Sequence, residues 1–532
     1  MRSSIILFFV LAATCVALAV KSDIKYFENR SGDIILEPSN AQNSLLFLKG
    51  NVFGDHQINN IADTQISNLI SHVMGLLPLN ANNNRKNFPS VPLFNKPKLN
   101  LLFTVDSVSQ DDLVNTQFLG LNNMVSVEKT FFPLDNVAES STIATGVTPD
   151  MHGIVSSTWV SPIDGQKIQA FNHNAQSLAA NMADVLSQTF GGRSLIVSAS
   201  ADYKLASAHA VHKSLSKELA KGNHFGLFLN NRGFQSLYHR ESALDLINKN
   251  IESVLYTNAF KQFVLAACCK ASMSNGVFTI VNGNQQTIKF NFDEKIDRVV
   301  LSELVMLYKL VDTIKNDAHF NKLAADSIPD MLSFSFASLS NLRTLYGADS
   351  LQFVTALKMI DNAMQNAFST LSTVYGDRVA CEAVTLAPQS HFPAETREKI
   401  VQIVGKSVNH LDTTFPHFYL KSSARSQKFD FCQQINAIEG VVAHCVEHLL
   451  DETIDSAEPT AAPADKNTSS ASSSEPADDN QGTTSKIALF QIFLFFPIVW
   501  VCFVVGGILY MMGVSFDANR DTLLYRSTER QY

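Results

Sequence analysis

Leu99-Asn-Leu-Leu-Phe-Thr-Val105, followed at once by Asp106, is the stretch that decides the fold. It is a compact apolar run of strand length, which reads as a buried β-strand rather than a surface one. Its last step delivers a carboxylate to the carboxyl end of the strand, where open α/β sheets gather their functional groups.

Working outward, a helical pattern over Ala175–Thr189 leads into a second apolar run, Ser194-Leu-Ile-Val-Ser198. A third run, Phe278-Thr-Ile-Val281, is joined through Asn282-Gly-Asn284 to Gln286-Thr-Ile-Lys-Phe290, and the Asn-Gly pair predicts a hairpin. Strands alternating with helices predict an α/β sheet. From Arg298 the character changes. Val299–Ala324 and Gly347–Tyr375 carry apolar residues at helical spacing, with Phe353, Leu357, Ile360, Met364 and Phe368 as the stripe of the second. That stripe is explained by core packing. Val384-Thr-Leu386 is the expected closing strand.

The ends carry different signals. Ile487 to Val514 is a long apolar run with no charged residue, enough for a bilayer hydrocarbon core of roughly 30 Å. The opening residues combine Arg2, an apolar stretch and the small-x-small site Ala17-Leu18-Ala19, which predicts a secretory signal. A type I membrane protein is therefore expected, with Arg520, Arg526 and Arg530 on the cytoplasmic side. Between these ends, length alone predicts two or three domains. The expected division is a signal peptide at 1–19, a lumenal α/β domain at 20–297 and a helical or α+β lumenal region at 298–450. A disordered acidic stalk at 451–485, a transmembrane helix at 487–514 and a cytoplasmic tail at 515–532 follow.

A net charge of −8 with no cluster of Lys and Arg excludes a nucleic-acid partner. Of seven cysteines, Cys15 falls in the signal and Cys502 in the span, leaving five. Without a CxxC pair they read as structural disulfide or buried thiol rather than metal ligands, and Cys432 with Cys445 would close a short loop. Asn29 and Asn467 stand in N-glycosylation sequons. Gln491, Pro497, Gly506, Gly507 and Gly513 within the span suit close approach to other membrane helices.

Two motifs carry a first resemblance. One is Phe132-Pro-Leu-Asp-Asn-Val-Ala-Glu-Ser-Ser-Thr-Ile-Ala-Thr-Gly146, continuing Val-Thr-Pro149-Asp-Met-His152-Gly153-Ile154; the other is Ile196 through His209. With Asp106 they resemble the alkaline phosphatase and nucleotide pyrophosphatase superfamily over about Leu99 to Leu255. That resemblance implies a strand-end Asp on a metal and a Thr or Ser nucleophile ten residues before the glycine of the turn. In this chain the nucleophile position is Asn136, whose amide cannot serve. The downstream Asp and His ligand patterns have no counterpart, and spacing places no base beside Ser140, Ser141 or Thr142. Asp106, Asn136, Gly146 and His152 are thus read as vestigial positions on a degenerate alkaline-phosphatase-like sheet. No catalytic residue, metal or cofactor is expected.

The C-terminal half carries a second resemblance, on Leu301-Ser-Glu-Leu304, Ile328-Pro-Asp-Met331, Leu345-Tyr-Gly-Ala-Asp-Ser-Leu-Gln-Phe353, Val374-Tyr-Gly376 and Asp521-Thr-Leu-Leu-Tyr-Arg526. This ordered series is similar to the vacuolar proton-ATPase accessory protein 2 family, also called the prorenin or renin receptor family. The resemblance implies an accessory subunit of the proton pump, in contact with proteolipid and other membrane-sector subunits. It implies a location in the endoplasmic reticulum, endosome, lysosome, vacuole or plasma membrane, and a secreted protein ligand. Leu523, Leu524, Tyr525 and Arg526 are the expected tail-docking residues. The competing expectations are a membrane-anchored ectophosphohydrolase and a ligand-binding receptor ectodomain.

Overall fold

A nine-stranded mixed sheet forms the centre of the molecule. In chain order its strands are β1 (Ser44–Lys49), β2 (Asn60–Ala62), β3 (Leu99–Val105), β4 (Met124–Glu128), β5 (Ile196–Ser200), β6 (His224–Asn230), β7 (Gly233–Ser236), β8 (Asp330–Phe336) and β9 (Val379–Thr385). Across the sheet they run β7-β6-β5-β8-β3-β9-β1-β4-β2. The computed structural model describes residues 30–445, except 39–43, 54–59, 77–78, 80–95, 114–117, 119–123, 131–134, 162–164, 173–174, 213–222, 231–232, 239–250, 268, 389–393 and 409–416.

The stretch from Leu99 to Val105 is the strand its sequence predicts, in the middle of the sheet and buried along its whole length. It pairs in parallel with β8 on one side and β9 on the other, Leu99 facing both Asp330 and Val379. Its alternate residues feed two cores. Leu99, Leu101, Phe103 and Val105 join a cluster with Phe334, Phe336 and the apolar faces of two long helices, α5 (Lys295–Asn316) and α8 (Leu351–Tyr375). Leu102, with Ile196, Met331 and Val384, meets α1 (Asp63–Val73) and α3 (Met182–Thr189) on the other side. Helices on both faces of a parallel centre are the α/β architecture expected.

The boundary expected at 297/298 does not separate two domains. Strands β8 and β9, from beyond it, are hydrogen-bonded to β3 and β5 from before it, so both stretches share one sheet. The described residues, 30 to 445, all fall in one compact unit. The change of character at Arg298 marks where helices lengthen, not where a core ends.

Other local departures have identifiable causes. The helix expected from Ala175 begins only at Met182. Asn181 and Asp184 close a reciprocal capping box (2.9 and 3.0 Å), while the Asn181 amide donates to the Ala208 and Ala210 carbonyls, fixing the start there. The single helix expected over Val299–Ala324 is two, α5 and α6 (Ala318–Ala325), because Asp317 turns to β geometry and accepts from the His319 N–H. A further helix, α7 (Ser338–Tyr346), precedes α8, whose start is capped by Ser350 on the Phe353 N–H. The second strand spans Ile196–Ser200, two residues later than read.

The predicted hairpin is present as Val277–Val281 and Thr287–Asn291, with Lys270–Ser274 as a third antiparallel strand. A separate small sheet places Ile34–Pro38 between His417–Phe418 and Val441–Cys445. Beside it a disulfide joins Cys432 to Cys445, Cα atoms 6.2 Å apart, and Cys381 is a buried thiol. Among the described residues no helix is long and apolar enough to cross a membrane. The signal at 1–19, Asn29 and Asn467, the stalk, the apolar run with Gln491, Pro497, Gly506, Gly507 and Gly513, and the tail with Leu523, Leu524, Tyr525 and Arg526 lie outside the described residues.

Candidate functional site

Three chain segments bring polar groups together at the carboxyl end of β3. Asp106 leaves the strand with its N–H on the Phe336 carbonyl (3.0 Å) and is almost wholly buried. Ser107 follows in the left-handed region (φ 58°), a conformation a serine adopts at a cost, and its hydroxyl donates to Asp106 Oδ1 at 2.9 Å. Asn136 opens α2 (Asn136–Thr145) behind the cap Asp135, which accepts from the Val137 and Ala138 N–H groups. The Asn136 amide donates to Asp106 Oδ1. Sequence positions thirty apart are thus paired directly, and the residue at the nucleophile position binds the strand-end acid itself.

Among the described residues, the charged groups that act on Asp106 are acidic. Burial pushes the Asp106 carboxyl up to about 8, opposed by the Ser107 hydroxyl and reinforced by the nearby Glu303, Asp202 and Asp135. Glu303, on α5, is pushed up to about 7 by burial, against the N–H groups of Ala337 and Ser338 that it accepts (2.8 and 3.3 Å). Burial and its acidic neighbours thus favour the neutral form of Asp106. The Asn136 carbonyl oxygen is buried without a hydrogen-bond partner.

The zinc pair that the phosphatase resemblance implies does not fit this donor set. Among the described residues no three His, Cys, Asp or Glu side chains are arranged to hold a metal. Asp106 Oδ1 is covered by the Ser107 and Asn136 donors; both ring nitrogens of His152 and Nε2 of His209 have partners, while His209 Nδ1 is buried without one. His152 Nδ1 accepts from the Ile154 N–H at 3.1 Å, so its Nε2 carries the proton toward Thr142 Oγ1, 3.0 Å away. His209 Nε2 lies 2.8 Å from Ser140 Oγ.

These two contacts correct the expectation that no base stands beside Ser140 or Thr142. Both pairs form, yet all four side chains are sealed from solvent, and burial lowers His152 to about 3 and His209 to about 4. A nucleophile and base must meet a substrate; these are enclosed in the core, with His152 held further by the Ile154 N–H. They lock α2 to the turn at Pro149–His152 and to the end of α4 (Tyr203–Ala208). The turn glycine has a packing role too. Gly146 ends α2 at φ 73°, and a Cβ there would collide with Ser67 Oγ on α1. His212, three residues past His209, pairs instead with Asp184 at 2.5 Å.

A second cluster closes the opposite, amino end of the sheet. The Lys98 ammonium, 2 % exposed, bonds Asp330 Oδ2 (3.0 Å), Asp326 (2.9 Å) and the Ile328 carbonyl, and Tyr375 donates to the same Asp330 oxygen at 3.2 Å. Thus Ile328-Pro-Asp-Met331 and Val374-Tyr-Gly376, read as separate motifs, meet at one buried carboxylate, while Glu303 of Leu301-Ser-Glu-Leu304 faces the acid cluster. The Ser140–His209 and Asp106–Glu303 juxtapositions were missed because nothing local links residues 69 or more positions apart.

Comparison with known proteins matches residues 275–388 to the Renin receptor N-terminal domain family. The renin receptor of Mus musculus is 33% identical over 94 residues, 18% of this chain and 26% of that protein. The Homo sapiens renin receptor is 32% identical over the same length and shares. The chain therefore spans about a quarter of the length of the curated relatives it matches. The segment from the meander through β9, which includes α5, β8 and α8, is renin-receptor-like. Among solved structures, a mutant of the alkaline phosphatase PafA gives a TM-score of 0.44 at 15% identity, covering 64% of this chain and 76% of that one. A phosphonoacetate hydrolase from Sinorhizobium meliloti gives 0.28 at 10% identity, covering 53% and 56%.

Proposed function

We propose that this chain is a renin-receptor-like, type I membrane protein whose lumenal α/β unit is a catalytically silent scaffold, and that it serves the vacuolar proton pump as an accessory subunit. The observation that carries the reading is the Asn136 amide seated on Asp106. Where a hydrolase would hold a nucleophile over a metal, this chain holds an amide over a buried acid, and the Asp106 Oδ1 is covered by the Ser107 and Asn136 hydrogen bonds. Function follows the site rather than the fold.

In this reading the apolar run 487–514 packs among proteolipid and other membrane-sector subunits, with Gly506, Gly507 and Gly513 allowing close approach and Gln491 finding a polar partner. The tail residues Leu523, Leu524 and Tyr525 anchor on the cytosolic side, and Arg526 meets acidic groups or lipid phosphates. The protein would then reside in the endomembrane system and support lumenal acidification. Affinity purification of the full chain from native membranes tests this. Proteolipid subunits recovered with it, and lost when Gly506 and Gly507 are both replaced by Leu, are the expected result. Recovery free of every pump subunit would refute the pump role.

A further inference from the structure

A groove of about 680 Å³ opens between β6, the start of α5 and the β5–α4 and β8–α7 turns, beside the acid cluster. That volume lies within the range of pockets that hold drug-sized ligands, roughly 300–1,000 Å³. Its walls carry both signs of charge. Lys295 and Arg298 stand one turn apart on the first turn of α5, both exposed, and neither is in an ion pair with another described residue. The helix amino terminus adds its own positive potential there. Opposite charge comes from Asp202, half-buried at the cap of α4, and from the exposed Glu252. Between them Ile251 and Phe292 offer apolar, half-buried surface.

The floor supplies an independent sign of a ligand. Ser302 lines the groove, its residue is 0 % exposed, and its hydroxyl has no hydrogen-bond partner. A buried hydroxyl left unpaired costs about 1–3 kcal/mol, and a bound polar group in the groove would remove that cost.

We propose that this groove binds a short peptide as a zwitterion, its terminal carboxylate on Lys295 and Arg298, its ammonium on Asp202, and an apolar side chain against Ile251 and Phe292. A guanidinium with a neighbouring ammonium suits a carboxylate, the half-buried carboxylate of Asp202 suits an ammonium, and Ser302 is placed to donate to a peptide carbonyl. A purely anionic ligand would meet Asp202 and Glu252 unfavourably, and a purely cationic one would meet Lys295 and Arg298. The inference is independent of the pump, because the groove lies wholly in the lumenal unit.

The test is isothermal titration of the full-length protein in detergent with the dipeptide alanyl-leucine, its N-acetyl form and its C-terminal amide. Saturable binding of the free dipeptide is expected, with affinity at least tenfold weaker for either blocked form. The variant with Lys295→Ala and Arg298→Ala should weaken binding at least tenfold at an unchanged unfolding midpoint, since both side chains are exposed. Ser302→Ala should weaken binding while making the peptide-free protein no less stable. No saturable binding up to millimolar peptide, equal binding of the blocked forms, or undiminished binding by the doubly substituted variant would each overturn the proposal.

Discussion

Replacing Lys98 by Met should unfold the α/β unit more readily, and by an amount that depends on pH. Lys98 and Asp330 are 2% and 1% exposed, their charged atoms 3.0 Å apart. Met keeps the length of the side chain but removes the ammonium, leaving Asp330 with only the Leu195 N–H (2.8 Å) and the Tyr375 hydroxyl (3.2 Å). Breaking a buried pair in this way costs about 3–5 kcal/mol. Burial already lifts Asp330 from its ordinary 3.8 to about 6 against the pull of Lys98. At about 1.4 kcal/mol per pKa unit, ionising it in the folded protein costs on the order of 3 kcal/mol even with Lys98 in place. Without Lys98 the carboxyl rises further.

The sign follows from linkage. A carboxyl whose folded pKa lies above its unfolded one favours folding below the unfolded value, and that stability is lost as pH rises through the folded value. The Lys98→Met variant should therefore lose about 3–5 kcal/mol at pH 8 and roughly half of that at pH 5, where Asp330 is protonated. Urea unfolding followed by fluorescence can measure it, because Trp159 is buried in the α/β unit and one of only two tryptophans in the chain. Adding Asp330→Asn should recover most of the loss at pH 8. An equal loss at both pH values, or one below about 1 kcal/mol, would refute the reasoning that Lys98 compensates a buried, ionised Asp330.

Three further outcomes are expected. Asp106→Asn should stabilise the protein, with a gain that is absent near pH 4 and grows toward pH 8, because folding now holds the acid neutral across the window from 3.8 to about 8; unfolding curves across that range check it. Gly146→Ala should cost about 1–3 kcal/mol by forcing a left-handed alanine against Ser67, and Ser67→Gly in the same chain should return part of that loss in a thermal melt. Replacing Cys432 and Cys445 by Ser opens a loop of sequence separation 13 and should cost up to about 3 kcal/mol, read as faster amide exchange in the small sheet with the central sheet unchanged.

Much of the sheet was legible because its signals are local. Leu99–Val105 is apolar at almost every step, and the hairpin over Val277–Asn291 is announced by its Asn-Gly turn, so neither depends on distant partners. The stripe from Phe353 to Phe368 likewise predicts α8 from its own period. What escaped reading depends on side chains that compete with the backbone or on partners far along the chain. Asp317 breaks a pattern that periodicity alone would continue, and Asn181 delays a helix whose apolar residues begin earlier. The boundary at 297/298 failed because strand pairing across it is parallel and non-local. In the site, Asn136 was identifiable from its spacing to Gly146. Its bond to Asp106 and the approach of Glu303 from α5 required the fold.

The most direct test of the silent-site account is paired measurement of metal content and phosphate-ester turnover on the purified full-length protein and its Asp106→Asn variant, each supplied with zinc. The account predicts no stoichiometric zinc in either protein and the same background hydrolysis from both. Stoichiometric zinc in the unaltered protein, with turnover of a nitrophenyl phosphate or phosphodiester that Asp106→Asn abolishes, would contradict it.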